Sequence, residues 1–520
     1  MVLNVLLTTS GIGSRLGELT AYTNKSLVKV GDKYAICYII EHYPIDTHFI
    51  ITLGHYGEHV KDLLEIAYPD RKFTFVNVNN YSEAGSSLAY SLLQARPFIN
   101  KQFVFHCCDS IVLDKYIPFD DNKNILFVCN QDNSSQYTSV NTHCNNIVSI
   151  NDKGCTNFDY IYTGVSYIHN FNEFWENLEN IYAKNPLNSQ LSDIDSIREM
   201  LFSNEFIYKI LNRYYDTGNI DSYSKLKTVF SSEYIVLEKN NESLCFLDDK
   251  VIKFISDPSI NNKRFERGKI LNPLVPRMFD SRNNFIIMDK IKGTVLSDVY
   301  NYGEIIRLLE WAYQYLWINK NVDNIYIENC YNFYINKTIK RLNTLPFLDF
   351  EINQINGITT KNIYDLIKHV NVSDIVTDTF YNFHGDFILD NILKTDTSYC
   401  LLDWRHEFDT QITHGDMYYD LAKLRHNIIF NHKNIANKLF TIKYDKQPSV
   451  TVDLKCNYFL IQQLEDYDLF IKKKNLDAYK VKLLTALIWL NMSPLYDGEL
   501  REFLFYFGKY NLALALQQRP

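Results

Sequence analysis

Two stretches carry residue types and spacings that could do chemistry on phosphates. The first is Phe383-His384-Gly385-Asp386-Phe387-Ile388-Leu389-Asp390-Asn391-Ile392-Leu393, followed by Leu401-Leu402-Asp403-Trp404-Arg405. Phosphoryl transfer to an alcohol needs a carboxylate at the attacking hydroxyl and metal ligands that hold the triphosphate in line. Asp386 supplies a candidate base, and Asn391 and Asp403 supply candidate Mg²⁺ or Mn²⁺ ligands. The second stretch is Thr9-Ser10-Gly11-Ile12-Gly13-Ser14-Arg15-Leu16, with Thr20 and Lys25 following. A buried strand that ends in a glycine-rich turn brings backbone N–H groups close to phosphates. Arg15 and Lys25 would add the cations.

The Asp386 stretch has the same order of parts as the protein-kinase catalytic loop: base Asp, metal Asn, metal Asp. It resembles the aminoglycoside phosphotransferase and choline kinase superfamily, whose H-[GN]-D-x-x-x-x-N-I-L and D-[WF] elements it matches position by position. Gly415-Asp416-Met417-Tyr418-Tyr419-Asp420-Leu421-Ala422 matches that family's downstream segment, which is structural. Arg405 departs from it, since many members have a small or acidic residue there. The resemblance implies ATP as phosphoryl donor and a small alcohol as acceptor. It also places the phosphate lysine at Lys253, in Val251-Ile252-Lys253, with Glu266 either its ion-pair partner or an exposed helix glutamate. Phe285–Ile291, around Met288, would be the strand that holds adenine.

The glycine stretch is similar to the nucleotidyltransferases that activate sugar phosphates and phosphocholine. Gly11, Gly13, Ser14, Arg15, Leu16, Leu19, Thr20, Lys25 and Leu27 are in register with that family's signature. Asn24 stands where the family has Pro. The resemblance implies that the glycine loop and Arg15 wrap a triphosphate, and that Lys25 neutralises the departing pyrophosphate. Gly85 and Ser86 would lie beside the base, although a helix-capping serine explains the latter equally well. Asp109 and Asp216, the latter in Tyr215-Asp216-Thr217-Gly218-Asn219, would hold the metal, and Gly164 would lie on the substrate side. Lys25-Ser26-Leu27 is similar to phosphocholine cytidylyltransferases and favours CTP. Asp193-Ile194-Asp195 has glycosyltransferase-like spacing, but within the helical-looking Leu191–Leu201 it reads as a solvated helix face.

The elements that must position these groups follow from the pattern. Strand-like runs at Leu3–Thr8, Phe49–Gly54, Phe73–Val78 and Phe103–Cys107 alternate with helical segments, which predicts a mainly parallel, Rossmann-like sheet. The expected organisation is an α/β nucleotidyltransferase domain over 1–225, GT-A-like, and an α+β protein-kinase-like domain over 226–520. Within the second, a small lobe over about 226–295 begins at Tyr234–Glu238, and a helical lobe follows over about 296–520.

At 520 residues the chain is long enough for two or three domains. Its net charge of −8 argues against a nucleic-acid or membrane-surface protein. Ten cysteines without C-x-x-C spacing fit a reducing compartment, and no apolar run reaches the ~20 residues of a membrane helix. Met1–Leu7 is too short for a secretory segment, so the expected location is the cytoplasm. Together the two halves predict consecutive steps: ATP phosphorylates a choline-, ethanolamine- or sugar-like alcohol, and an NTP then converts the phosphomonoester to an NDP-linked product. Bacterial cytidylyltransferase–choline kinase fusions have this domain order. Two alternatives stand beside this reading. One is a kinase with a degenerate, regulatory nucleotide-binding module. The other is a sugar-1-phosphate nucleotidyltransferase paired with a sugar kinase. Trp311, Tyr313, Tyr315 and Trp317 would be the aromatic cage for a quaternary ammonium, or simply core.

Overall fold

The computed structural model describes the chain except residues 1, 116–121, 232–240, 300, 321–324, 346–351, 377–379, 446–448, 457 and 520. The expected strand Tyr234–Glu238 lies outside the described residues. The chain divides into two compact units. The first comprises Met1–Asn261 and Phe279–Lys290, and the second Asn262–Met278 and Ile291–Pro520.

The first unit is built on a nine-stranded sheet. Four strands, in the order Lys72–Asn77, His48–Leu53, Asn4–Thr8 and Phe103–Cys107, run parallel. Asn4–Thr8 is buried along its whole length, as a strand covered on both faces must be. Beyond Phe103–Cys107 the sheet is mixed, not mainly parallel. Tyr160–Ile168 runs antiparallel to both its neighbours, and Phe206–Ile210 is parallel to Asn124–Cys129. The cause is local. Strand–helix alternation stops after Cys107, and Ser139–His143 returns directly to Asn146–Asn151 as a hairpin. Its two turn residues, Cys144 and Asn145, both have positive φ, the geometry that matches strand twist in a two-residue loop.

A second, antiparallel sheet belongs to this unit: Glu242–Phe246, Lys250–Ile255 and Phe285–Asp289. Ile252, Phe254, Phe285 and Ile287 share one core with Ile36, Cys37 and Ile40 of the helix Ala35–His42. Polar contacts reinforce it: Tyr34 Oη lies 2.8 Å from Ser243 Oγ, and Phe246 N donates to Asp32 O at 2.8 Å. Side chains alternate along a strand, so Val251 and Lys253 stand on the face opposite Ile252 and Phe254. The position 225/226 therefore falls inside this unit.

The second unit has one large core. Its helix Met417–Ile429 is buried on nearly every side and packs against Tyr458–Lys473 and Ala478–Met492. Gly498–Gln517 closes over Ala478–Met492. A three-stranded sheet, Thr294–Val295, Ile392–Lys394 and Tyr399–Leu401, carries the segment after Asp386. Among the described residues no helix is long and apolar enough to cross a membrane.

Candidate active sites

In the first unit the parallel pairing Thr8↔Cys107 brings two loops out side by side at the carboxyl ends of their strands. Open α/β sheets bind ligands at such strand ends. The glycine loop leaves after Thr8, and Asp109 follows Cys107. Asp216 arrives by another route: Tyr214–Asp216 pairs with Ser110–Val112, in the register Asp216↔Ser110. Gly218 sits against both carboxylates. A Cβ there would lie 2.9 Å from Asp216 Oδ1 and 3.2 Å from Asp109 Oδ2. A cleft of about 430 Å³ opens here, lined by Gly11, Arg15, Lys25, Ser86, Asp109, Gly164 and Asp216 among others.

Lys25 Nζ lies 3.4 Å from Asp109 Oδ2. Burial disfavours the Lys25 ammonium, but the Asp109 carboxylate outweighs it and holds the pKa above its ordinary value. Burial likewise opposes ionisation of Asp109, and Lys25 with Arg15 hold it below the usual carboxylate range. Asp216 moves the other way: burial and the neighbouring Asp109 raise it. Gly218 N at 2.8 Å and Tyr137 Oη at 2.9 Å donate to it. Two converging carboxylates beside a cation suit Mg²⁺, which binds through one or two carboxylates plus substrate phosphates.

Gly13 has φ +74°, and a Cβ there would meet Lys25 Cβ at 2.8 Å. It lets the chain pass tightly over Lys25. Gly13, Ser14 and Gly85 lie outside the cleft lining. Ser86 lines the cleft, and the cap of helix Leu88–Ala95 is Ser87, whose side chain accepts from Tyr90 N.

Sequence reasoning did not foresee the part played by Asn24. It is fully buried. Its Nδ2 donates to Thr9 O at 2.8 Å and His55 O at 2.6 Å, and its Oδ1 accepts from Ser26 N at 2.9 Å and Ser26 Oγ at 2.8 Å. Asn24 thus ties the Lys25 segment to the strand end beneath it. Asp193 is not on a solvated helix face. Only Asp195 behaves as a surface helix residue, accepting from Ser192 N in a capping box. Asp193 is 3% exposed, lines the cleft and accepts from Tyr162 Oη at 2.8 Å. Burial pushes its carboxyl up to about 6. The signal was present in Ser192-x-x-Asp195, which sets Asp193 in the first turn beside buried Ile194.

On the second sheet, Lys253 Nζ lies 3.4 Å from Glu242 Oε2, a carboxylate of the neighbouring strand. Glu266, expected as its partner, pairs 2.7 Å away with Lys269, one turn on along its own helix. Met288 is buried and faces Val251 across the strand pair.

In the second unit the helix Met417–Ile429 holds the Asp386 loop. Buried Asp420 accepts from His384 N and Gly385 N, each at 2.7 Å, and from Trp317 Nε1 at 3.0 Å. Asp416 caps that helix and pairs with Lys480 at 2.8 Å. His384 is neutral, its pKa lowered by burial to about 4. Its Nδ1 accepts from Asp386 N at 3.2 Å, so Nε2 carries the proton and donates to Leu402 O at 2.8 Å. That bond joins the loop to the segment bearing Asp403. Asn391 Nδ2 donates to Asp386 Oδ2 at 3.1 Å. Asp403 pairs with Arg264. Burial opposes charge on Asp386, but Lys423, 2.8 Å away, keeps it below the ordinary carboxylate value.

The four aromatic residues do not form one cage, although Trp311 and Tyr315 are in ring contact with centroids 6.2 Å apart. Trp317 is committed to Asp420, Trp311 packs on Tyr399 with centroids 5.4 Å apart, and Tyr313 and Tyr315 are exposed.

No protein-family model matches the chain, and no curated protein matches it. Solved structures align with its N-terminal part. A UDP-glucose pyrophosphorylase complexed with UDP-glucose aligns at 16% identity over 44% of this chain and 98% of its own, with a TM-score of 0.38. The CTP:phosphocholine cytidylyltransferase of Streptococcus pneumoniae aligns at 18% identity over 44% of this chain and 99% of its own, with a TM-score of 0.38. The inositol-1-phosphate CTP transferase of T. maritima aligns at 16% identity over 44% of this chain and 96% of its own, with a TM-score of 0.35.

Proposed function

We propose that the chain is a bifunctional transferase. Its second unit phosphorylates a small alcohol with ATP, and its first transfers NMP from an NTP to the resulting phosphomonoester. The observation that carries this reading is the meeting of Lys25, Asp109, Asp216 and the Gly218 turn at adjacent strand ends, in a cleft large enough for a nucleotide.

In the first reaction Asp386 accepts the proton of the attacking hydroxyl, and Asn391 orients that carboxylate. In the second, a phosphate oxygen of the phosphomonoester forms a bond to the α-phosphorus and pyrophosphate departs. Arg15 and Lys25 stabilise the charge that develops on the leaving group. Divalent cations held by Asp109 with Asp216, and by Asn391 with Asp403, would screen the triphosphate charge. CTP is favoured through the Lys25-Ser26-Leu27 resemblance. Ser26 itself is turned to Asn24, so the base would be chosen by other cleft residues. A residue other than Pro at position 24 is the departure that would favour a degenerate first unit. The four hydrogen bonds of Asn24 instead support a loop held in place for use.

Small alcohols supplied with ATP, and their phosphates supplied with each NTP, test this reading through ADP and pyrophosphate release. Pyrophosphate release that depends on a phosphomonoester supports it. ADP release without any pyrophosphate, whichever NTP and phosphomonoester are offered, removes the second step.

A further inference from the structure

The surroundings of Asp386 are strongly cationic. Lys423 pairs with it directly at 2.8 Å. Arg405 leaves the chain beside the loop: its backbone N donates to His384 O at 3.0 Å, and its Cβ would lie 2.5 Å from a Cβ placed on Gly385. Its guanidinium carbon lies 4.8 Å from the Phe333 ring centre, and Lys337 Nζ lies 4.3 Å from the same centre. Arg341, one turn beyond Lys337 on the helix Lys337–Leu342, completes the group and donates to Asn491 O. Among the described residues, the only ion pair these four cations make is that of Lys423 with Asp386. Tyr419 also faces Arg341 and Lys423. Burial, then Arg405, Arg341 and Lys423, push the Lys337 ammonium down to about 6, which places all of them within electrostatic reach of one another.

With its pKa at about 6, Lys337 is largely neutral near pH 7 in the free protein, and Arg405 and Arg341 remain as partly buried cations without an ion pair among the described residues, an arrangement that is costly without an anion. The triphosphate side has a different neighbour: Arg264, not this cluster, pairs with Asp403. Lys337 and Arg341 come instead from the helical part of the unit. A cationic acceptor would meet repulsion here, and two of the aromatic residues that could have caged a quaternary ammonium, Trp317 and Trp311, are tied to Asp420 and Tyr399.

We infer that the alcohol phosphorylated at Asp386 bears its own negative charge, a carboxylate or a phosphate, seated on Arg405 and Lys337. This rests on the kinase reading of the second unit. The anion would lie on the two cations with its hydroxyl toward Asp386. The cationic and neutral acceptors suggested by resemblance would be excluded.

The test is ADP release by the full chain with Mg²⁺ and ATP, using glycerol, D-glycerate, glycerol phosphate and choline as probes. Thermal shifts by the same probes in the presence of MgADP give a readout independent of turnover. The expected result is phosphorylation and stabilisation by D-glycerate or glycerol phosphate at least tenfold more effective than by glycerol, and none by choline. Comparing the two anions separates a carboxylate site from a phosphate site. Lys337→Met and Arg405→Leu should each raise the acceptor KM at least tenfold, with the ATP KM within about twofold of wild type. Lys337→Arg should recover most of the loss. Should Arg405→Leu fail to fold, Lys337→Met decides alone. Phosphorylation of choline that Lys337→Met leaves unchanged overturns this inference while the kinase reading stands. A rise in the ATP KM instead of the acceptor KM also overturns it. Absence of ADP with every acceptor removes the kinase reading, and this inference with it.

Discussion

Asn24→Ala is the substitution whose effect follows most directly from the structure. It removes two donors and two acceptor contacts at a fully buried position. Thr9 O, His55 O and Ser26 N each lose a partner. An unsatisfied buried polar group costs about 1–3 kcal/mol, and the Ser26 N bond counted here is also the cap of the Lys25–Leu27 turn. Water entering the gap would recover part of this, which leaves a net loss of about 3 kcal/mol. The consequence for function is sharper than for folding, because the loosened segment carries Lys25. NMP transfer should fall about 10–100-fold, since small misplacements of a catalytic group have costs of this order. Asn24→Asp separates the two halves of the side chain. It keeps the acceptors for Ser26 but turns a carboxylate toward two carbonyl oxygens, so it should destabilise at least as much. Denaturant unfolding and pyrophosphate release with saturating NTP measure both effects. Unchanged stability and unchanged transfer in Asn24→Ala would refute the view that this side chain holds the phosphate-binding segment.

Three further outcomes are expected. Arg15→Ala and Lys25→Ala should each reduce pyrophosphate release about 10²–10³-fold, while ADP release from the free alcohol persists. Gly385→Ala should abolish phosphorylation and cost about 3 kcal/mol of stability, because φ is +83° and the new Cβ would lie 2.5 Å from Arg405 Cβ. The Lys337 ammonium, lowered to about 6, should regain its proton when an anionic acceptor binds. Binding should therefore take up close to one proton at pH 7.5 and almost none near pH 5, read by calorimetry in buffers of different ionisation heat. In the free protein the same shift makes stability fall as pH drops from about 10 toward 6, because the unfolded lysine binds its proton first.

Much of the first site was legible because its parts are local. The strand Asn4–Thr8, the glycine turn and Lys25 lie within one short segment, and Asp109 lies two residues past Phe103–Cys107, a strand that is apolar except for His106. The parallel half of the sheet followed from strand–helix alternation. The antiparallel half did not, because it depends on a Cys144-Asn145 turn that lacks the usual glycine. The burial of Asp193 is not legible from sequence because helical periodicity gives a face but not what covers it, and here Tyr162 arrives from a distant strand. Glu266 pairs with Lys269 on its own helix, as an exposed helix glutamate does, whereas Glu242 reaches Lys253 through strand pairing invisible in a linear reading. The cationic ring around Asp386 was hidden for a similar reason. Lys337, Arg405 and Lys423 come from three separate segments, and Arg405 alone stood out in the sequence.

The central claim is that two sites in one chain perform consecutive steps, and paired substitutions address it most directly. Asp386→Asn removes the carboxylate at the acceptor hydroxyl but leaves Asp109 and Asp216 intact. Asp216→Asn removes one of the two converging carboxylates of the first unit. The first variant should still convert a supplied phosphomonoester and NTP to the NDP-linked product and pyrophosphate, yet fail to phosphorylate the free alcohol. The second should accumulate the phosphomonoester. Each half-reaction is followed separately, by ADP and by pyrophosphate. Phosphorylation at the wild-type rate by Asp386→Asn, or pyrophosphate release at the wild-type rate by Asp216→Asn, would contradict the account.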